Sequence, residues 1–308
     1  MARANPKFSW LGQYKIACNY ELSGRFFHAV MDDGKEYALN FLDGENLQWA
    51  QMGEPFIWDA YSCLKGDDTT YLVHIRPRQY GGKINHAWII DLAENLVTLV
   101  VMEEGVAPEI PRIISATPVF GALKIPGRKL SEKRHTFTDR LVGRQIKWRY
   151  SPAYVVQHIY HSEEFYRMPP YTYEVLKARY EDIKDSMTED QYTQAMKRLE
   201  RMKDEPGPGR FWEEPCFHIR ISDNMELFVF FEENMLRDDP AHARGGNGVL
   251  LLIDIERLTD VGLVFNTGKY EMLSAVGEPV EPVDVTDTLP SYSVKEQLVS
   301  VPSIFWEK

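Results

Sequence analysis

The sequence predicts an all-β protein made of two tandem copies of one antiparallel unit, with a helical hairpin inserted in the second copy. Three observations carry this. Short runs rich in β-branched and aromatic residues recur along most of the chain, separated by turn signals such as Asp32-Asp33-Gly34, Asp43-Gly44, Gly66-Asp67-Asp68 and Asp223-Asn224. Blocks of the first half reappear in the second. One stretch, 171–205, turns to helical periodicity.

The strand-like runs are Phe26–Val30, Glu36–Phe41, Thr70–Ile75, His86–Leu92, Leu96–Val101, Gln145–Arg149, Val155–His161, Cys216–Ile221, Glu226–Phe231, Val249–Ile255 and Asp260–Phe265. No helical patterns alternate with them, which argues against a doubly wound parallel sheet. Each copy offers roughly six to eight strands, enough to close a small up-and-down barrel or a strongly curved sheet.

The copies show as drifting offsets. Leu22-Ser23-Gly24-Arg25 returns as Leu141-Val142-Gly143-Arg144, an offset of 119 residues. Tyr71–Ile75 lines up with Leu227–Phe231 at 156, and Trp88–Leu92 with Leu251–Ile255 at 163. An offset that only grows is what two copies leave when the second has gained residues between its matching blocks. The main gain is the segment Tyr171–Glu205. Leu176, Tyr180, Ile183 and Met187 fall on one helical face, Ser186 with Glu189 forms a capping box, and a second helix runs through Met196 and Leu199 until Pro206-Gly207-Pro208-Gly209 stops it. Such a hairpin is a packing or dimerisation appendage, making a homo-oligomer, or a lid over a pocket. The expected organisation is a first unit over 1–110, a Pro- and Arg-rich linker over 111–140, a second unit over 141–275, and a Pro-rich acidic tail over 276–308.

The 308 residues are 44 % hydrophobic and 26 % charged, so the chain can bury a core without staples. A net charge of −11 repels phosphate backbones and anionic lipids, which excludes nucleic acid and membrane surfaces as expected partners. Cys18, Cys63 and Cys216 are odd in number and lack metal-type spacing, as in a reducing compartment. MARANPKFSWLGQYKIACNY has no apolar signal core and no run approaches membrane-spanning length, so a cytoplasmic protein is expected.

The strings DDGKEYALNFLDGENLQWA, YSCLKGDDTTYLVHI and WIIDLAENLVTLVV resemble the N-terminal domain of MoaF-type proteins. LVGRQIKWRYSPAYVVQHIYHSEEFY and GVLLLIDIERLTDVGLVF resemble the matching C-terminal domain, so the likeness covers most of residues 8–270. It implies two calycin-like, lipocalin-type antiparallel barrels in tandem. The molybdenum-cofactor label of that family finds no phosphate-cradling loop in this chain. The barrel of phenolic acid decarboxylases is a more distant likeness in shape, with no clean match to its Tyr/Arg/Glu set.

Strand alternation sorts the candidate residues by face. One face of Val155–His161 carries Val156, His158 and Tyr160; one face of Cys216–Ile221 carries Cys216, His218 and Arg220; in Thr70–Arg76, Leu72, His74 and Arg76 share a face. These groups either face solvent opposite the core or converge inside the second barrel. In the second case Arg220 would hold a carboxylate, Tyr160 donate a proton, and His158 and His218 serve as bases near neutral pH. The first copy lacks that set, since Leu39 aligns with His158, Phe41 with Tyr160 and Ser62 with His218. Trp58, Tyr61, His74 and Trp148 are the candidate ligand-binding residues.

No metal site is signalled, because His158 and His161 share no face and a zinc site would have to gather His158, His218 and His74 across strands. Gly81-Gly82 and Gly245-Gly246 lack phosphate-loop spacing, no G-x-S-x-G elbow exists, and no cofactor is expected. The expected activity is a cofactor-independent lyase or isomerase acting by acid–base chemistry on a small, partly aromatic molecule. A non-catalytic small-molecule carrier or sensor, and a scaffold built on the hairpin, are the readings from other classes.

Overall fold

The computed structural model describes residues 17–104, 114–151, 154–168, 173, 177, 180–181, 184–186, 189–204, 212–232, 248–266 and 269–281. In the first half, β1 (Phe26–Met31), β2 (Glu36–Phe41), β3 (Asn46–Gln51), β4 (Ile57–Lys65), β5 (Thr70–Ile75), β6 (Ile84–Asp91), β7 (Leu96–Glu104) and β8 (Ile114–Leu123) each pair with the next. Strand β8 returns to β1 through Val30 and Ala122, closing an antiparallel barrel. After β9 (Thr136–Phe137), the second half repeats the plan with β10 (Gln145–Ser151), β11 (Tyr154–Tyr160), β12 (Phe165–Met168), β13 (Trp212–Arg220), β14 (Met225–Phe231), β15 (Gly248–Asp254), β16 (Thr259–Asn266) and β17 (Lys269–Pro279). Pairings β10–β17 and β12–β13 close this second barrel of eight strands, and β9 lies against the far end of β13.

The stretch read as a linker, 111–140, opens with β8, without which the first barrel cannot close. Pro118 and the central exposed and half-buried residues of β8 blurred its strand pattern. Likewise β17 carries the second barrel past the expected boundary at 275, to Pro279. The last residues of the tail, 282–308, lie outside the described residues.

Between β12 and β13 stands α1 (Glu189–Asp204), with Ala195 and Leu199 buried one turn apart. Met196, in the same helix, is exposed. Of the first arm of the hairpin, Tyr173, Lys177, Tyr180 and Glu181 are helical and Tyr180 is buried. Leu176, Ile183 and Met187 lie outside the described residues. No helix among the described residues is long and apolar enough to cross a membrane.

Register turns the repeat into a residue-by-residue match. Phe27 pairs with Leu39 and Ile146 with His158, so the offset of 119 holds through β10 and β11. The turn from β4 to β5 is framed by the pair Lys65–Tyr71, and its counterpart by Arg220–Glu226. Tyr71 therefore matches Glu226 at 155, one residue short of the expected 156. That slip moves every side chain of the strand to the other face, so the partner of His218 in the first barrel is Cys63 and not Ser62. The offset of 163 holds at β15, where Trp88 faces Val73 and Leu251 faces Phe228.

Both copies are plugged in the same way at one end. Gly24 (φ 76°) and Gly143 (φ 86°) turn the chain in the left-handed region that favours glycine, donating their N–H groups to the carbonyls of Phe41 and Tyr160. That turn drives Leu22 and Leu141 into the barrel bases with no exposure. The connections at this base are four residues long in both barrels: 42–45 and 161–164, 66–69 and 221–224, 92–95 and 255–258. At the opposite rim they differ, 52–56 against 169–211 and 76–83 against 232–247.

Three apolar clusters result. One fills the first barrel around Phe41, Tyr61 and Trp88, and one fills the second around Trp148, Tyr160 and Phe228. The third joins the outer faces of the two barrels: Leu64, Leu72, Ile89 and Val100 meet Leu227, Val229, Leu250, Leu252 and Leu263. Strands β5, β14 and β15 are consequently buried on both faces, which explains why apolar residues occupy both parities of each strand. Replacing Ile89 or Leu250 by Ala should destabilise the whole chain by about 2–5 kcal/mol, with both barrels melting in one shifted transition. The half-exposed Trp58 should change stability by no more than about 0.5 kcal/mol on replacement by Ala. Denaturant unfolding followed by tryptophan fluorescence reads both.

Candidate functional site

The two barrel interiors differ in polarity at matched positions. Leu39, Phe41, Cys63, Tyr71 and Val97 of the first barrel correspond to His158, Tyr160, His218, Glu226 and Asp260 of the second. Every one of these second-barrel residues is buried. A polar group is taken out of water only at a cost unless it finds partners: His218 bonds to Glu226, Tyr160 accepts from Trp148 and Asp260 accepts from Tyr150, while His158 Nδ1 has no hydrogen-bond partner among the described residues.

The central series begins on β13. Cys216 Sγ lies 3.7 Å from His218 Nε2, and His218 Nδ1 lies 3.2 Å from Glu226 Oε1 on the neighbouring strand β14. Glu226 Oε2 is 3.3 Å from Nε of Arg140. The guanidinium also donates to the carbonyls of Asp223 and Met225, which fixes it over the barrel base. The His218 ring is stacked on Phe228, centroids 4.7 Å apart and planes 19° apart. In the tautomer that donates Nδ1–H to Glu226 Oε1, Nε2 presents a lone pair to the thiol.

Tyr160 stands beside this series, its ring 5.8 Å from that of His218, and its oxygen accepts a 3.1 Å hydrogen bond from Trp148 Nε1. Burial, reinforced by the negative charges of Asp260 and Glu226, raises the Tyr160 phenol well above its ordinary pKa, so it remains a proton donor. Asp260 Oδ2 accepts from Tyr150 at 3.1 Å. Burial pushes the Asp260 carboxyl up to about 7. Burial likewise holds the Cys216 thiol well above its usual value.

The candidate residues from the sequence divide. His158, Tyr160, His218 and Trp148 stand together inside the second barrel. Arg220 does not join them. It shares the face of His218, but β13 ends there, so its side chain is half-exposed and pairs with Asp223. Arg140, from the turn before β10, takes the interior ionic role. His158 is not a base near neutral pH: ringed by Tyr160, Tyr166, Phe228 and Phe230, its pKa falls to about 3.

Trp58 is 51 % exposed on the outside of β4 and lines neither interior. Tyr61 lies in the first barrel, donating its hydroxyl to the Asp43 carbonyl at 2.7 Å. His74 faces neither solvent nor a pocket; it is buried between the barrels against Phe265 and Tyr270 and bonded to Asn85.

Arg140, Glu226 and Asp260 escaped the reading of the sequence. Two of them had a visible signal, since Glu226-Leu227-Phe228-Val229-Phe230 puts an acid in step with one of two apolar faces, as does Asp260 at the head of its strand. Among the described residues no group of three or more His, Cys, Asp or Glu is placed to hold a metal ion. No family model matches the chain, and no curated protein matches it.

The buried groups set two opposite pH trends. His74, His86 and His135 fall to about 4 and His158 to about 3, so the folded chain carries them neutral while the unfolded chain protonates near 6.5. Their stabilising contribution is complete above pH 6.5 and is lost as pH falls toward 4. Asp260 acts in reverse: its raised pKa makes folding less favourable as pH rises from about 4 to 7. Melting temperature against pH should show a shallower acid limb in His158→Phe, and in Asp260→Asn a smaller decline between pH 4 and 7.

Proposed function

We propose that the second barrel binds a small, uncharged, partly aromatic molecule and acts on it by acid–base chemistry as a cofactor-independent lyase or isomerase. The observation that carries this reading is the Arg140–Glu226–His218 series, built at positions where the sister barrel has Glu21, Tyr71 and Cys63: there Tyr71 donates its hydroxyl to the exposed Glu21, and Cys63 is packed in the apolar core. Glu226 orients His218, and Nε2 of His218 is the base. Tyr160, kept protonated, is the hydrogen-bond donor to an oxygen that gains charge, with Trp148 fixing the phenol. Burial excludes water, which strengthens each of these interactions.

Arg220 was the expected anchor for a carboxylate and stands outside the barrel. Among the described residues the cation at the base is Arg140, already committed to Glu226 and two carbonyls. An uncharged substrate follows. Kinship with the MoaF-type proteins is part of the same proposal and rests on the strand strings quoted above.

A carrier is the second reading, favoured by the ring cluster of His158, Tyr166, Phe228 and Phe230, which suits an aromatic ligand without any proton transfer. The test is to purify the protein from its host, identify the co-purifying small molecule by mass spectrometry, and follow deuterium uptake into it from heavy water. His218→Gln should slow that uptake about 100-fold or more with occupancy held within a few-fold, and Arg220→Ala should leave it unchanged. A bound molecule that takes up no deuterium and keeps its double-bond geometry would establish the carrier, and protein that arrives empty would overturn both readings.

A further inference from the structure

We propose that Cys216 is a nucleophile, and that the second barrel isomerises small, uncharged α,β-unsaturated carbonyl compounds by reversible thiol addition. The inference rests on the acid–base reading of the second barrel and names its covalent step and substrate class. A nucleophile, a base and a group that orients the base must stand in sequence within contact distance. Here Sγ, imidazole and carboxylate do so at 3.7 and 3.2 Å, and Arg140 anchors the far carboxylate oxygen at 3.3 Å. Cys216 and His218 share a face two residues apart on β13, and Glu226 reaches His218 from the paired strand, so strand geometry alone holds the order.

The step balances without a co-reactant. The thiol proton passes to His218 Nε2 as sulfur bonds to the β-carbon. The π electrons move onto the carbonyl oxygen as an enolate, which the Tyr160 hydroxyl stabilises. The former double bond is now single and rotates. When the enolate collapses, the carbon–sulfur bond breaks, the double bond reforms in the other geometry, and sulfur recovers its proton from Nε2. The buried thiol rests protonated, so attack depends on His218 to take the proton in line, and an exposed low-pKa thiolate is not required.

The molecule contains its own control. Cys63 sits inside the first barrel with no exposure, but its sulfur faces the Leu64 carbonyl at 3.8 Å and has no imidazole beside it among the described residues. The probe is acrylamide, a small neutral unsaturated amide, applied to the folded full chain carrying Cys18→Ser, with adducts located by peptide mass mapping. Cys216 should be modified at least about tenfold faster than Cys63, and His218→Gln should bring the two rates together. Equal rates in the chain with His218 intact would overturn the proposal, and that comparison needs no variant of the site. If His218→Gln unfolds the chain, both thiols react fast and the unaltered ratio decides. With the co-purifying molecule, interconversion of its two double-bond isomers that survives in Cys216→Ser would remove the covalent step and leave the acid–base reading standing. Isomer interconversion and deuterium uptake both surviving in His218→Gln would remove both.

Discussion

The seam between the two barrels is the constraint on which the remaining structure depends. Each barrel is a closed sheet that needs only its inner face to form a core, yet β5, β14 and β15 are buried on both faces. The outer apolar layer has to be covered, and each barrel covers the other. With Leu72, Ile89, Leu250 and Leu252 each contributing about 1.5–3 kcal/mol through burial, separating the barrels would expose an apolar patch far larger than a soluble surface carries. The position of β13 follows from this: its outer residues Ile219 and Ile221 belong to the seam, so Cys216 and His218 point inward.

The first barrel supplies an internal reference for the second. Both have the same strand order, the same plugging leucine and the same base turns, and they diverge inside. Where one packs Leu39 and Phe41, the other buries His158 and Tyr160; where one has Cys63 and Tyr71, the other sets His218 beside Glu226. A fold that closes equally well with apolar residues has no structural need for the ionic series, and half-satisfied buried networks are costly. The strands of the first barrel also bury two carboxylates: Asp59 is held between Trp49 Nε1 and Arg78 Nε, and Asp91 Oδ2 lies 4.0 Å from His135 Nε2.

Much of this architecture was legible in the sequence. Period-two alternation placed His158 with Tyr160 and Cys216 with His218 on shared faces, and the Leu-x-Gly-Arg blocks marked the two copies, because a left-handed glycine and a buried leucine leave a strong trace. Strands β3, β4, β8, β12 and β17 were missed, since their patterns are short, interrupted by proline or buried irregularly. Single-strand parity could say that His74 and Leu72 share a face, yet not that a second barrel covers it, because burial of an outer face is a property of the pair. A slip of one residue, 156 for 155, was enough to match His218 with Ser62 and hide its true counterpart. Arg140 left no trace: it lies outside any strand, and only the closed base brings it to Glu226.

The equal base turns and unequal rim connections divide the freedom of the chain. Lengthening a connection from 5 to 43 residues, the difference between 52–56 and 169–211, carries a closure cost of only about 2 kcal/mol in the chain-entropy limit. A one-residue change at a four-residue base turn would shift a register and turn a strand inside out. Variation by insertion is therefore cheap at the rim and prohibited at the base. New segments could be grafted above the barrel, altering what enters it, while the residues beside the plug keep their spacing through every such experiment.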